Sequence, residues 1–202
     1  MTDISTDIEN WAAANGFASS EDEIGGATPL LRSGLLGTTA SAYRGRIDDR
    51  GALLAEFSIG SPDWSEEFGG SGTTSTVFTV MLVGVDASRW PRLTVHPTAY
   101  SEHDWIRRLL RADHEVEVSS ELEEKYRVIA SRSIPADQVR ELFTPELVEW
   151  WLAQPTSLLV DVEDHDEHGG YMTVAHSGVA SGTAELDDLR AQTSRLAQLL
   201  DP

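Results

Sequence analysis

Residues 121–152 read ELEEKYRVIASRSIPADQVRELFTPELVEWWL. Tyr126, Val128 and Ala130 alternate with Arg127, Ile129 and Ser131, the two-residue period of a strand packed mainly on one face. A turn and a short helix follow. Thr144, Pro145 and Glu146 then open a second helix. The threonine supplies a hydroxyl at the N-cap, the proline sits where no N–H is needed, and the acid is favoured by the helix dipole. Leu147, Val148, Trp151 and Leu152 lay one apolar stripe along this helix, and Pro155 stops it. A strand followed by short amphipathic helices points to an α+β fold, with helices laid on a mostly antiparallel sheet.

The flanking sequence extends that reading. Upstream, Ser41, Tyr43, Gly45 and Ile47 share a strand face, and Asp48-Asp49-Arg50-Gly51 is a turn cluster. Leu53, Ala55, Phe57 and Ile59 alternate with Leu54, Glu56 and Ser58 as a half-buried strand. Residues 60–74 form a long loop, and a third strand over 75–85 completes an antiparallel run. Residues 93–95, between Pro91 and Pro97, read as a short edge strand. Ser101 caps a helix whose inner stripe is Trp105, Ile106, Leu109 and Leu110, and residues 114–118 alternate as a brief strand. Downstream, residues 157–163 and 171–176 form a hairpin around DHDEHGG. A last helix over 183–200 carries Leu186, Leu189, Leu196, Leu199 and Leu200. At the other end, Ile4, Ile8, Trp11 and Ala12 follow helical spacing up to a stop at Asn15-Gly16, and residues 18–28 read as an acidic, glycine-rich linker. The chain thus divides into a helical leader and linker, 1–28, and one α+β domain, 29–202.

The order of elements over 121–152, an acidic and aromatic strand followed by the helix start Leu142-Phe143-Thr144-Pro145, resembles a bacterial domain family of unknown function, many of whose members are membrane-tethered. The likeness extends more loosely over residues 35–176, through the strands YRGRI, LLAEFSIG and TVFTVMLVGV and the later LTV. It implies a fold and no chemistry, since the family brings no established active site whose residues could be carried over.

Charge excludes more than it identifies. The 202 residues hold 34 acidic and 15 basic side chains, a net charge of −19, with −7 on residues 1–100 and −12 on 101–202. Acid excess in both halves repels a phosphate backbone and an anionic membrane surface, so neither nucleic acid nor lipid is an expected partner. With no cysteine there is no disulfide and no thiolate metal site. The start of the chain has neither the basic nor the apolar region of a secretory signal. Residues 68–85 are free of charge, but the first half is glycine, serine and threonine and the second half is β-branched. That is a strand buried on both faces rather than a spanning helix, which needs ~20 predominantly apolar residues. The expectation is a soluble, cytoplasmic protein without direct membrane insertion.

The one concentrated ligand set runs from Asp161 to His168. In an extended chain Asp164, Asp166 and His168 point to one side and are the candidate metal ligands. The plainer reading is a solvated hairpin tip whose carboxylates keep a sheet edge from aggregating. His96, His103, His114 and His176 are scattered, and Ser177-Gly178 lacks the strand–elbow–helix setting of a nucleophile. Gly69-Gly70-Ser71-Gly72 precedes a strand and no lysine follows, so it is no phosphate loop. Trp64 and Phe68 in the long loop, and Trp150 on the flank of its helix, are candidate interaction residues; their plainer role is packing.

From these residues the leading expectation is a non-enzymatic interaction or regulatory domain with an acidic surface, engaging a protein partner that is basic in character, and needing no cofactor. Two alternatives stand beside it: a metal-assisted hydrolase built on residues 161–168, and an assembly protein that self-associates through Trp150 or the last helix.

Overall fold

In this computed structural model the described residues are 4–20, 37–62, 73–86, 90, 92–99, 113–163, 170–178, 180 and 182–200. Helix α1 (Ile4–Ala14) ends as Asn15-Gly16 requires. Gly16 takes φ 77°, Phe17 N–H reaches Ala12 O at 2.8 Å and Gly16 N–H reaches Ala13 O at 3.4 Å, the pairing that satisfies the last carbonyls of a helix. The leader docks: Ile8, Trp11 and Ala12 are buried in the same core cluster as residues from Tyr43 to Leu200. Residues expected in the linker form a two-residue edge strand instead, β1 (Ala18–Ser19). The reason is Phe17, whose buried ring lies flat on Gly45; a Cβ there would sit 2.6 Å from the ring.

Strands β2 (Gly37–Ile47), β3 (Arg50–Pro62) and β4 (Thr73–Val85) form the expected antiparallel run. Asp48, at φ 52°, turns β2 into β3, and its carboxylate accepts from Ser194 Oγ at 2.7 Å. The run continues through β9 (Gly170–Ser177), β8 (Leu158–Glu163), β5 (Leu93–Pro97), β7 (Tyr126–Ser131) and β6 (Asp113–Glu115). Among the described residues, nine strands have the order β1-β2-β3-β4-β9-β8-β5-β7-β6, and each neighbouring pair is antiparallel. The fold is α+β, as the alternation and helical spacing of the sequence indicate.

β5 is not the edge strand that its flanking prolines suggest; it lies between β8 and β7 with all five residues buried. Pro97 is tolerated because it occupies the last position, beyond the β5–β8 rungs that end at Val95. The quoted stretch also opens differently from its sequence reading. Residues before Tyr126 form helix α2 (Ser120–Lys125), with Ser119 Oγ accepting from Leu122 N–H at 3.2 Å. After β7 come α3 (Ala136–Leu142) and α4 (Pro145–Ala153), and Thr144 Oγ1 caps α4 by accepting from Leu147 N–H at 3.3 Å. The stretch closes on itself. Lys125 Nζ donates to Leu152 O at 2.7 Å, Tyr126 Oη donates to Pro155 O, and the rings of Tyr126 and Trp151 meet edge to face at 4.9 Å.

Helix α5 (Thr183–Leu200) crosses β4 and β9 and packs beside α1. Its Leu186, Leu189, Leu196 and Leu200 are buried in the chain's own core. The described helices all contribute their buried side chains to the cluster on one face of the sheet. The second face is buried as well: Ala55, Phe78, Val80, Leu82, Leu159 and Ala175 belong to it. β3 is therefore not half-buried in its middle, since Leu54 and Ala55, on opposite faces, are both shielded from solvent. The helix expected over residues 101–111 and most of the linker lie outside the described residues. Among the described residues, no helix is long and apolar enough to cross a membrane.

Candidate functional site

Antiparallel register places Ser41, Glu56, Thr79, His176 and Leu158 in one row across β2, β3, β4, β9 and β8, on the helix-covered face. Polar residues in such a row need partners, because burial strips them of water. Glu56, 8% exposed, accepts from Ser41 Oγ at 3.2 Å. Thr79, 1% exposed, donates to Gly178 O at 3.3 Å and accepts from Ala180 N–H at 2.8 Å. Gly178 takes φ 104° and folds the chain back along β4: its N–H reaches Val77 O at 2.8 Å, and Thr79 N–H reaches its carbonyl at 3.0 Å. This turn aims the chain into α5, which returns over the sheet and brings Gln192 Oε1 to 2.7 Å from His176 Nε2.

Between the first half of α5, the end of β9 and the turn that enters β8 lies a cleft of about 320 Å³. Thr79 and His176 face it from the sheet, Pro155 and Ser157 from the turn. From α5 it is lined by Glu185, Asp188, Leu189 and Gln192. Among the described residues, the acids of this lining are Glu185 and Asp188, and no lysine or arginine belongs to it. Glu185 sits in the first turn of α5, where the helix dipole favours negative charge.

Ser157 and His176 share the cleft, but the imidazole bonds to Gln192 rather than to a serine hydroxyl, and an amide rather than a carboxylate orients it. Among the described residues, no three His, Asp or Glu side chains gather as a metal site.

Trp150, the sequence-derived candidate among the described residues, does not line this cleft. Asp164, Asp166 and His168 lie outside the described residues, as do Trp64 and Phe68. Asp161, at the start of that acidic run, is 1% exposed on the second face and accepts from Thr94 Oγ1 at 2.7 Å. Trp150 is half-buried against the core with its ring edge-on to Trp151, centroids 5.2 Å apart. His96 is buried in β5, its Nδ1 2.9 Å from Pro97 O, while His114 is half-exposed in β6. The cleft residues Thr79, Glu185, Asp188 and Gln192 were not legible as a site. Their one local signal is that Glu185, Asp188 and Gln192 recur at helical spacing, which a solvated helix face shows equally.

Comparison with protein-family models, curated proteins and solved structures found no match.

Proposed function

We propose that this chain is a non-enzymatic protein-interaction domain that engages a basic protein partner through the cleft between α5 and the end of β9. The observation that carries this reading is the lining itself: two carboxylates beside an imidazole–amide pair and, among the described residues, no lysine or arginine, on a chain of net charge −19. Such a surface attracts a cationic segment at long range and orients it on arrival. With it goes the reading of a cytoplasmic protein that binds neither nucleic acid nor membranes, which the acid excess in both halves of the chain supports.

The test is a titration of the intact chain with a fluorescent peptide of mixed lysine and arginine content, against a neutral peptide of equal length. Binding of the basic peptide alone, weakening from low salt to about 0.3 M, is the expected result. Equal affinity for both peptides, or no salt dependence, removes the electrostatic reading.

A further inference from the structure

We propose that Asn15-Gly16 is a chemical modification site, at which Asn15 deamidates once the clamp formed by Trp11 and Arg190 opens. Asn10 and Asn15 are the two asparagines of the chain, and Asn15 is the one that precedes glycine. That pairing is the most prone to deamidation, because a residue without Cβ leaves its backbone nitrogen free to reach the preceding side chain. The Gly16 nitrogen, its proton lost to base, adds to Asn15 Cγ. The bond from Cγ to Nδ2 breaks, Nδ2 takes up a proton and leaves as ammonia, and a cyclic imide remains. Water then opens either imide carbonyl, giving an aspartate or an isoaspartate, in which the main chain runs through the side-chain carboxyl.

The fold withholds the side chain from this attack. Asn15 Nδ2 donates to Trp11 O at 2.9 Å, and Oδ1 accepts from Arg190 Nη1 of α5 at 2.6 Å. A carbonyl only accepts and a guanidinium only donates, so the group between them must have one end of each kind, as an amide has. Held to a carbonyl four residues back and to a second helix, the carboxamide cannot turn its carbon toward Gly16 N. Gly16 itself offers little resistance: it is exposed, its N–H meets Ala13 O at a long 3.4 Å, and a Cβ added there would touch nothing. The clamp is therefore the barrier.

Refolding does not undo the change. A carboxylate has no donor for Trp11 O and sets accepting oxygens face to face. It also adds negative charge at the C-terminal end of α1, where the helix dipole is already negative. An ion pair with the half-buried Arg190 offsets little of this. Trp11 Nε1 bonds Asp187 Oδ1 three residues before Arg190, so the altered residue sits in the seam by which α1 docks on α5. Deamidation thus loosens the leader, in one direction only.

The test follows residue 15 by peptide mass spectrometry in mildly alkaline buffer, with Asn10 as internal control, in the full chain, in the same chain unfolded in urea and in Arg190→Met. That variant keeps an aliphatic stem and removes the donors. Conversion is expected to be at least about tenfold slower in the native chain than in urea, since it requires local opening. Arg190→Met, shown by thermal melts to be folded, is expected to convert several-fold faster than the native chain. Asn15→Asp, standing in for the product, is expected to lower the urea midpoint. No conversion in urea overturns the site. A native rate equal to the unfolded one overturns the clamp, as does a folded Arg190→Met that converts no faster than the native chain. An Asn15→Asp midpoint at or above the native one overturns the loosening. Should Arg190→Met not fold, the native and urea rates decide alone.

Discussion

His96 faces the second side of the sheet at 1% exposure, and burial, the largest influence on it, holds its pKa below the ordinary histidine value. The Pro97 carbonyl and Glu115 pull in the opposite direction, and Arg127 adds to the depression. The folded chain therefore resists a proton that the unfolded chain takes up once pH falls below about 6.5. Stability from this residue is full above that pH and is lost as pH drops toward the folded-state pKa. The slope is at most about 1.4 kcal/mol per pH unit, since one proton is involved. Urea unfolding at successive pH values between about 7 and 5 should show this loss in the native sequence and a shallower one in His96→Gln. Identical slopes would assign the acid sensitivity to other groups.

At the scale of elements, α1 illustrates how one residue converts a leader into part of the core. Trp11 is buried, stacks obliquely on Phe17 at 5.7 Å and donates its Nε1–H to Asp187 Oδ1 at 2.8 Å. Trp11→Ala removes ring packing and that bond together, so a loss of about 3–5 kcal/mol is expected, read as a fall in the denaturation midpoint. A change below about 1 kcal/mol would mean that α1 is held by something other than its tryptophan. Helices with local signals were legible: the Thr144-Pro145-Glu146 start of α4 and the leucine spacing of α5 are written in adjacent residues. α2 escaped because Leu122 is its one buried apolar residue among glutamates, which reads as a solvated run. β5 was misplaced because Pro91 and Pro97 read as the borders of an edge strand, whereas its seat between β8 and β7, with Thr94 bonded to Asp161, depends on residues distant in sequence. The cleft was illegible for the same reason: Thr79, His176 and Gln192 are each ordinary locally, and only strand register brings the first two together.

For the molecule as a whole, 34 acids against 15 bases make mutual repulsion a destabilising contribution. Surface ion pairs such as Arg195–Glu146 and Arg127–Glu115 offset it in places, but exposed pairs are worth little each. Added salt screens repulsion over distances beyond about 10 Å, so the melting temperature should rise from low salt to about 0.15 M NaCl. A falling melting temperature would show that local pairing outweighs the repulsion of the acid excess. The acid excess on which the proposed binding rests therefore also weakens the fold.

The position of β9, seated between β4 and β8, also governs when this protein can become itself. The inner border of β4 finds its partner in residues 170–176, so it can be covered only after they have been made. The bond from Trp11 to Asp187 bridges 176 positions, so even the opening helix waits for the closing one. Contacts that remote slow folding, and until they form the border of β4 is open to stray strands, which makes the interval of synthesis its most exposed moment.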